Sequence, residues 1–191
     1  MKFLCYPMEM ALEFTTSFHK DALSLLHYYK RLAERAMEQL SDDELFRTID
    51  GDANSIAIIV KHMTGNMRSR FTNFLDEDGE KPWRNRDAEF QDPLLTRQAL
   101  LDDWASAWDV LFGAIEPLTD DAMNRTVTVR GEPHSVMQAI LRQVAHYAHH
   151  TGQIVLLAKH YRGEAWQSLS VPKGQSAEFT SRVRAGEISQ R

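Results

Sequence analysis

Apolar residues recur at steps of three and four along most of this chain, and this spacing predicts amphipathic helices. The first stretch covers about residues 8–40 and the second about residues 54–75. The third begins at Asp92-Pro93, because aspartate is a favoured N-cap and proline suits the first helical position, and Pro117 ends it. The fourth lies within residues 134–160. Four such helices with short or medium connections can bury their apolar faces together, so we predict an all-α four-helix bundle.

The connections carry signals of their own. Ser41-Asp42-Asp43-Glu44 has the form of a capping box and predicts a short helical turn. Residues 126–129 predict a short strand, with a tight turn at Arg130-Gly131 ahead of the last helix. After His160 the apolar pattern decays, so we expect the tail to wrap the bundle loosely and to be flexible from about residue 180. We expect residues 1–191 to form a single domain.

A long, charged connection covers residues 76–90. Loops of this length inside a compact domain tend to be functional or to pack over the mouth of the domain. The alternative is a solvated loop that Trp83 and Phe90 pin to the surface. The sequence leaves both interpretations open.

The last helix presents two histidines one turn apart. His146 and His150 are separated by roughly 40° around the helix axis, so both imidazoles can approach one ion. Both lie at the margin of the apolar stripe, whereas His149 falls on the opposite, exposed side. The stripe consists of Val136, Ile140, Val144, Tyr147, Ile154 and Leu157. Such a pair alone is more often exposed or bonded to a neighbour than bound to a metal, so a third ligand is required.

His62 is the natural third ligand, because it lies beside the apolar face of the second helix. Gly65 costs that helix about 1 kcal/mol in propensity, which suggests a close approach by a neighbouring helix or a ligand. His19 and His27 are eight residues apart on the first helix and too distant to share an ion. We expect both of them at the surface or at a polar rim.

Composition narrows the choice of partners and location. The chain has 27 acidic and 22 basic residues, and a net charge of −5 argues against nucleic-acid binding, which needs a basic surface. No apolar run approaches the roughly 18 residues that cross a bilayer, so we expect no membrane partner. Pro7 and Glu9 come too early for a secretory signal. Cys5 is the only cysteine, which excludes an internal disulfide and agrees with a cytoplasmic location; we expect it to be structural or incidental.

Several segments together resemble the DinB/YfiT-like superfamily of metal-binding four-helix bundles. The resemblance lies in His62-Met63-Thr64-Gly65-Asn66, followed later by the His146-x-x-x-His150 pair that leads into Gly152-Gln153-Ile154. The Asp78-Gly79-Glu80-Lys81 loop, the run at 84–90 and the tail at 166–176 are similar to one uncharacterised bacterial branch of the superfamily. The likeness covers almost the whole chain.

The resemblance implies a divalent ion held by three histidines, here His62, His146 and His150, with an open coordination position. It also implies a homodimer. Characterised relatives include transferases that use low-molecular-weight thiols such as bacillithiol or mycothiol, and a thiol-dependent maleylpyruvate isomerase.

Three neutral imidazoles would leave the full +2 charge on the ion and at least one position for water or substrate. Such an ion can deprotonate and hold an incoming thiol. We therefore expect a metal-dependent thiol S-transferase in which the thiolate attacks an electrophilic carbon. Asn66, Tyr147 and Gln153 are candidate polar neighbours, and no catalytic residue is assigned. The expected partners are a small-molecule thiol and an electrophile; zinc and nickel are the favoured ions, with iron as a further candidate.

The alternative is a non-catalytic metal-bound bundle that binds a small ligand or has a structural or stress-response role. An open coordination position would favour the enzyme, and a fourth protein ligand would favour the alternative. The spacing argues against peptidase chemistry, because Tyr147 follows His146 where a zincin needs glutamate. A di-iron site would need paired Glu-x-x-His motifs, and the chain has none.

Overall fold

The structure is a computed structural model that describes residues 17–91 and 96–189, which are mostly helical. The helices are α1 Phe18–Met37, α2 Asp42–Phe46, α3 Ile56–Phe71, α4 Arg97–Ile115, α5 Val136–Arg162 and α6 Ser176–Arg184. Strands β1 Thr126–Val129 and β2 Glu132–Ser135 pair as an antiparallel hairpin. Short 3-10 helices cover Asp87–Phe90, Asp120–Asn124 and Gly163–Ala165. This content is consistent with the predicted all-α class.

Each of the four long helices begins at a side chain that accepts a hydrogen bond from the backbone of its first turn. The four caps are Ser17, Ser55, Thr96 and Ser135. At the start of α5, Gln138 also bonds back to the Ser135 backbone, which completes a capping box. The predicted capping box at α2 is confirmed, because Ser41 and Glu44 exchange both bonds.

Two helices end earlier than the apolar pattern predicts. α1 ends at Met37, because the backbone N–H groups of Gln39 and Leu40 bond three residues back and tighten the chain into a turn. α3 ends at Phe71, because Asn73 takes a positive φ of 49° two residues later. In both cases apolar residues continue beyond the last helical turn, so periodicity alone overestimates the length.

Three expectations fall outside the described residues. They are the first part of the first helix at 8–16, the role of Cys5, and the helix start at Asp92-Pro93. Within the described part of the chain, α4 begins at Arg97 with Thr96 as its cap.

The long helices share one core. α1 packs along α5, α3 packs along α4, and α3 also contacts α5. α1 and α4 are joined by two polar contacts: His19 Nε2 lies 2.9 Å from the Ile115 carbonyl oxygen, and Trp104 Nε1 donates to Glu34 at 3.1 Å. This arrangement places α3 against α5, the two helices that carry the predicted metal ligands.

The tryptophans of α4 are core residues. Trp108 meets Trp104 with ring centroids 5.5 Å apart and Tyr147 of α5 at 5.7 Å, both edge to face. All six residues of the predicted apolar stripe on α5 are buried. The apolar periodicity therefore identified the inward face of α5 correctly.

The two histidines of α1 have different environments. His27 is partly exposed, stacks on Phe112 at 3.9 Å and lies 3.5 Å from Glu116, as expected of a polar rim. His19 is buried, so its predicted position at the surface or at a polar rim is wrong. The physical reason is its bond to the Ile115 carbonyl, which satisfies the ring nitrogen without water.

The charged connection is fastened at several points. The Asp78 carboxylate accepts hydrogen bonds from the backbone of the Arg130-Gly131 turn at 2.8 and 2.7 Å. Arg70 of α3 pairs with Glu80 at 2.9 Å. Trp83 is exposed and does not pin the loop, so only one of the two expected apolar anchors, Phe90, packs inward. Ion pairs and backbone hydrogen bonds hold this segment in place.

The strand β2 and the helix α6 were not predicted. The strand β2 contains Pro133, which weakens a strand pattern, yet it pairs with β1 through the predicted turn. The helix α6 lies in the tail that we expected to be irregular, and it buries none of its residues. An element without a buried face leaves little apolar signal in the sequence. None of the described helices is long and apolar enough to cross a membrane.

Candidate metal centre

His62 on α3 faces His146 and His150 on α5, and the three imidazoles converge. His146 Nε2 lies 3.3 Å from His62 Nε2 and 3.1 Å from His150 Nε2. The ligand nitrogens of the three residues all lie within 4.8 Å of one another. Two nitrogens bound to one tetrahedral zinc ion are about 3.3–3.4 Å apart, as the zinc–nitrogen bond length requires. The three histidines therefore form a group that could hold a metal ion.

In two of the three histidines, the hydrogen bond of the second ring nitrogen shows where a proton lies. His62 Nδ1 is 2.9 Å from Glu89 Oε2, and His150 Nδ1 is 2.7 Å from Gln153 Oε1. Both oxygens are acceptors, so both Nδ1 atoms donate, and in the neutral form of each ring Nε2 presents a lone pair. His146 Nδ1 is buried and has no hydrogen-bond partner among the described residues.

Hydrogen bonds alone do not satisfy these converging nitrogens. If His146 carries its proton on Nε2, it can donate to His62 or to His150. The Nε2 lone pair of the histidine that does not receive this bond then still faces a nitrogen. A cation would be bonded by all three lone pairs at once. The residues present therefore fit a divalent transition metal, for which imidazole is a suitable ligand.

The electrostatic surroundings keep two of the imidazoles neutral. Burial lowers the pKa of His146 to about 3, and the neighbouring imidazoles and two nearby arginines act in the same direction. Burial also lowers the pKa of His150, although the hydrogen bond to Gln153 opposes this shift. Neutral imidazole is the form that binds a metal, so both residues are ready to do so near pH 7.

Glu89 is a buried carboxylate beside the group. Arg84 donates to it twice, from Nε to Oε1 at 2.8 Å and from Nη2 to Oε2 at 3.0 Å. Burial would raise the pKa of Glu89, but the hydrogen bonds from His62 and Arg84 outweigh it and lower the pKa overall. The carboxylate is therefore ionised at neutral pH.

Gly65 provides the space for that carboxylate. A Cβ atom at position 65 would lie 2.8 Å from the carboxyl carbon of Glu89, which is closer than such atoms can approach. The close approach predicted from the mid-helix glycine is therefore present. The approaching group is the side chain of Glu89, where we had expected a neighbouring helix or a ligand.

The group is closed on one side and more open on the other. The Phe90 ring packs against the buried His62 ring at 4.8 Å, and the Arg86 guanidinium lies 5.3 Å from the centre of the Phe90 ring. His146 and His150 are only half-buried. Within residues 17–91 and 96–189, no cysteine, carboxylate or fourth histidine joins the group.

The sequence profile of one protein family matches residues 13–175, a span that includes all three histidines and Glu89. That family is described as a protein of unknown function, DUF1572. The chain belongs to this DUF1572 family. The family is in the DinB/YfiT-like superfamily, to which the sequence motifs pointed. No curated protein matches the chain significantly.

The polar neighbours predicted for this DUF1572 protein have different roles in the structure. Gln153 contacts His150, as described above. Asn66 and Tyr147 bond to each other instead, because the Tyr147 hydroxyl donates to Asn66 Oδ1 at 2.9 Å in the core. Burial raises the pKa of Tyr147, so its hydroxyl stays protonated at neutral pH. His149 is exposed, as predicted.

Sequence reasoning missed Glu89 and Arg84 as neighbours of the histidine group. Both lie in the charged segment, which the resemblance to the DinB/YfiT-like superfamily singled out without assigning a role to either residue. Gly65 was the available signal, because a glycine one turn from a candidate ligand marks a place where something approaches the helix. The glycine did not show that the approaching group comes from a loop, 24 residues further along the chain.

Proposed function

We propose that this DUF1572 protein is a divalent-metal-dependent enzyme, and specifically a thiol S-transferase that uses an ion held by His62, His146 and His150. The observation that carries the proposal is the convergence of three imidazole nitrogens without a fourth protein ligand among the described residues. Three ligands are the usual protein contribution to a catalytic zinc site, whereas structural sites use four.

The proposed architecture is the four-helix bundle of DinB/YfiT type. In support of it, α1, α3, α4 and α5 are long, share one apolar core and contact one another in series. In such bundles, metal sites are built from side chains on facing helices, and α3 and α5 supply the histidines here.

A divalent ion in this position would lower the pKa of an incoming thiol and stabilise the thiolate. The residues of the chain would hold and shape the site. Two of the imidazoles are kept neutral by burial, so the ligands would not reduce the charge available to the thiolate. Gln153 orients His150, and Phe90 covers one face of His62. The half-buried side, at His146 and His150, is the side from which a thiol would enter.

The metal is tested first by elemental analysis of protein purified without a nickel column. We expect about one equivalent of zinc, nickel or iron in the wild type, and loss of most of it in His62→Ala, His146→Ala and His150→Ala. His149→Ala is the matched control, because His149 lies on the same helix but points to solvent, and it should keep its metal. Equal loss from His149→Ala would contradict the assignment of the ligands.

Thiol binding is tested on protein loaded with cobalt(II). This ion gives an intense near-ultraviolet absorption band when a thiolate binds to it. We expect cysteine and 2-mercaptoethanol to produce this band in the wild type and not in His150→Ala. With 1-chloro-2,4-dinitrobenzene as the electrophile, a carbon–sulfur bond should form, chloride should leave and the thiol proton should go to solvent. A protein that binds cobalt but shows no band with either thiol would exclude the transferase and favour the non-catalytic alternative.

A further inference from the structure

Both oxygens of the Glu89 carboxylate accept hydrogen bonds. Oε1 accepts from Arg84 Nε, and Oε2 accepts from both Arg84 Nη2 and His62 Nδ1. The side chains of Glu89 and Arg84 are only 8% and 2% exposed. The charge of Glu89 is thus held by a two-pronged arginine contact, and its third hydrogen bond reaches one of the converging histidines.

This arrangement costs stability in two ways. Charged groups lose their hydration when they are buried, and an apolar pair of the same size would often be at least as stable. A glycine in the middle of α3 weakens that helix, and a larger residue there would collide with Glu89. The buried charges and the glycine both serve to place one carboxylate oxygen beside Nδ1 of His62. A purely structural ion pair between Glu89 and Arg84 would need neither the contact with His62 nor the glycine.

His150 provides an internal comparison. Its Nδ1 donates to Gln153, which is neutral and lies three residues further along the same helix. Any α-helix can provide such a contact locally. His62 has an anionic partner that comes from a different segment and that Arg84 holds in place, so the two histidines are supported by different means.

We propose that Glu89 is a positioning residue for the metal ligand His62. It keeps the proton of His62 on Nδ1 and sets the angle of the ring, so that Nε2 points toward His146 and His150. Arg84 fixes the Glu89 carboxylate, and Gly65 leaves the space that the carboxylate needs. This inference rests on the metal site of the proposed function but not on the thiol reaction.

The first test measures zinc affinity by competition with a chromophoric chelator. Loss of a carboxylate that supports a ligating histidine typically weakens metal binding 10–100-fold, and we expect a loss of this size in Glu89→Ala. Glu89→Gln keeps the size and an acceptor oxygen but removes the charge, so its affinity should lie between those of Glu89→Ala and the wild type. Glu77→Gln is the matched control: Glu77 pairs with Lys81 in the same loop at 2.8 Å and contacts no histidine in the described structure. Its zinc affinity should equal that of the wild type.

The second test displaces Glu89 without changing it. In Gly65→Ala the new methyl group would lie too close to the carboxylate and force it away, while alanine favours the helix more than glycine does. We expect zinc affinity to fall to about the level of Glu89→Ala. In the double variant Gly65→Ala/Glu89→Ala, the methyl group has no carboxylate to displace, so the affinity should be no lower than in Glu89→Ala alone. Additive losses in the double variant would show that Gly65→Ala acts on the site by a route other than Glu89, and would contradict the role of Gly65 in this inference.

The nitrogen-15 NMR shifts of the His62 ring provide a direct readout. In the metal-free wild type we expect a ring protonated on Nδ1, and in Glu89→Ala a mixture of the two neutral forms. If any alanine variant fails to fold, Glu89→Gln supplies both measurements, because it preserves the shape of the side chain.

Two outcomes separate this inference from the proposed function. Wild-type zinc affinity in Glu89→Ala and Glu89→Gln, together with loss of zinc in His150→Ala, would overturn the role of Glu89 and leave the metal site intact. A wild type that binds no zinc would overturn both. Weakened zinc binding in Glu89→Ala, combined with no thiolate band, would support the positioning role and remove the transferase.

Discussion

At the scale of single residues, the three histidines of the candidate centre differ in the partner of Nδ1. His62 faces an ionised carboxylate, His150 faces an amide oxygen, and His146 has no partner in the part of the chain that the structure describes. A carboxylate partner strengthens a ligating imidazole as an electron donor. We therefore expect His62 to be the strongest donor of the three, although it is also the most buried.

Tyr147 provides a residue-scale prediction about stability. Its hydroxyl donates to Asn66 in the core, and Tyr147→Phe would leave Asn66 Oδ1 buried without that donor. We expect the free energy of unfolding to fall by about 1–3 kcal/mol, the cost of an unsatisfied buried acceptor. Metal content should not change. Urea denaturation monitored by circular dichroism measures the first quantity and elemental analysis the second.

Tyr161→Phe is the matched control for this substitution. The Tyr161 hydroxyl donates to the Arg47 carbonyl at 2.8 Å at an exposed position, where water can replace it. The expected loss is therefore well below that of Tyr147→Phe. If Tyr147→Phe leaves stability unchanged but removes the metal or the thiol reaction, then Tyr147 has a chemical role that its buried hydrogen bond does not show.

At the scale of elements, Asp78 ties the charged loop to the β1–β2 hairpin. Its carboxylate accepts from the backbone N–H groups of Glu80, Gly131 and Arg130, and these bonds, in that order of importance, hold its pKa below the ordinary value. Partial burial raises the pKa of Asp78, but by less than the hydrogen bond from Glu80 or the one from Gly131 lowers it. Because the ionised form is favoured in the folded state, this contribution to stability is fully present above the unfolded pKa of about 3.9. It is lost as the pH falls through the lower pKa of the folded state.

The corresponding prediction concerns Asp78→Asn. We expect the variant to be about 1 kcal/mol less stable at pH 7, since the amide oxygen can replace Oδ1 as the acceptor for Glu80 and Arg130, whereas the amide NH2 cannot accept from Gly131. The difference should shrink below about pH 4, where the wild type also loses its ionised carboxylate. Thermal unfolding across this range measures both effects. Asp76→Asn, in the same loop, is the control, and an equal response from that variant would show that the loop's overall charge matters more than the Asp78 contacts.

At the scale of the whole molecule, α5 has an apolar outer face as well as a buried one. Leu141 and Leu156 are 55% and 67% exposed, and Met137 lies one turn before Leu141. Between the two leucines the same face carries the small residues Ala145 and Gly152. An antiparallel second copy could bring Leu141 of one chain near Leu156 of the other across these small residues. We propose that the homodimer implied by the superfamily resemblance forms through this face.

Sedimentation velocity tests the dimer. We expect the wild type to sediment as a dimer, and Leu141→Glu and Leu156→Glu as monomers, because each would bury a charge in an apolar contact. Ile49→Glu is the control, since Ile49 is similarly exposed but is not part of α5 or of its apolar outer face. A monomeric wild type would refute the homodimer, and a dimer that survives both leucine substitutions would place the interface elsewhere.

Local sequence signals determined much of this protein without any tertiary information. The period of apolar residues specified the inward face of α5, the Ser41 capping box specified the start of α2, and the four-residue spacing of His146 and His150 placed both on one side of their helix. These features depend on contacts within one or two turns of a helix, so they can be derived from neighbouring positions in the chain.

Only the tertiary structure decided which distant groups meet. Glu89 reaches His62 because the charged loop folds back over Gly65, and Arg84 reaches Glu89 within that loop. His19 can be buried because the Ile115 carbonyl, 96 residues away, accepts a hydrogen bond from its ring nitrogen. The physical reason is that hydrogen bonds between separate segments depend on the relative placement of whole elements, which has no periodicity in the sequence.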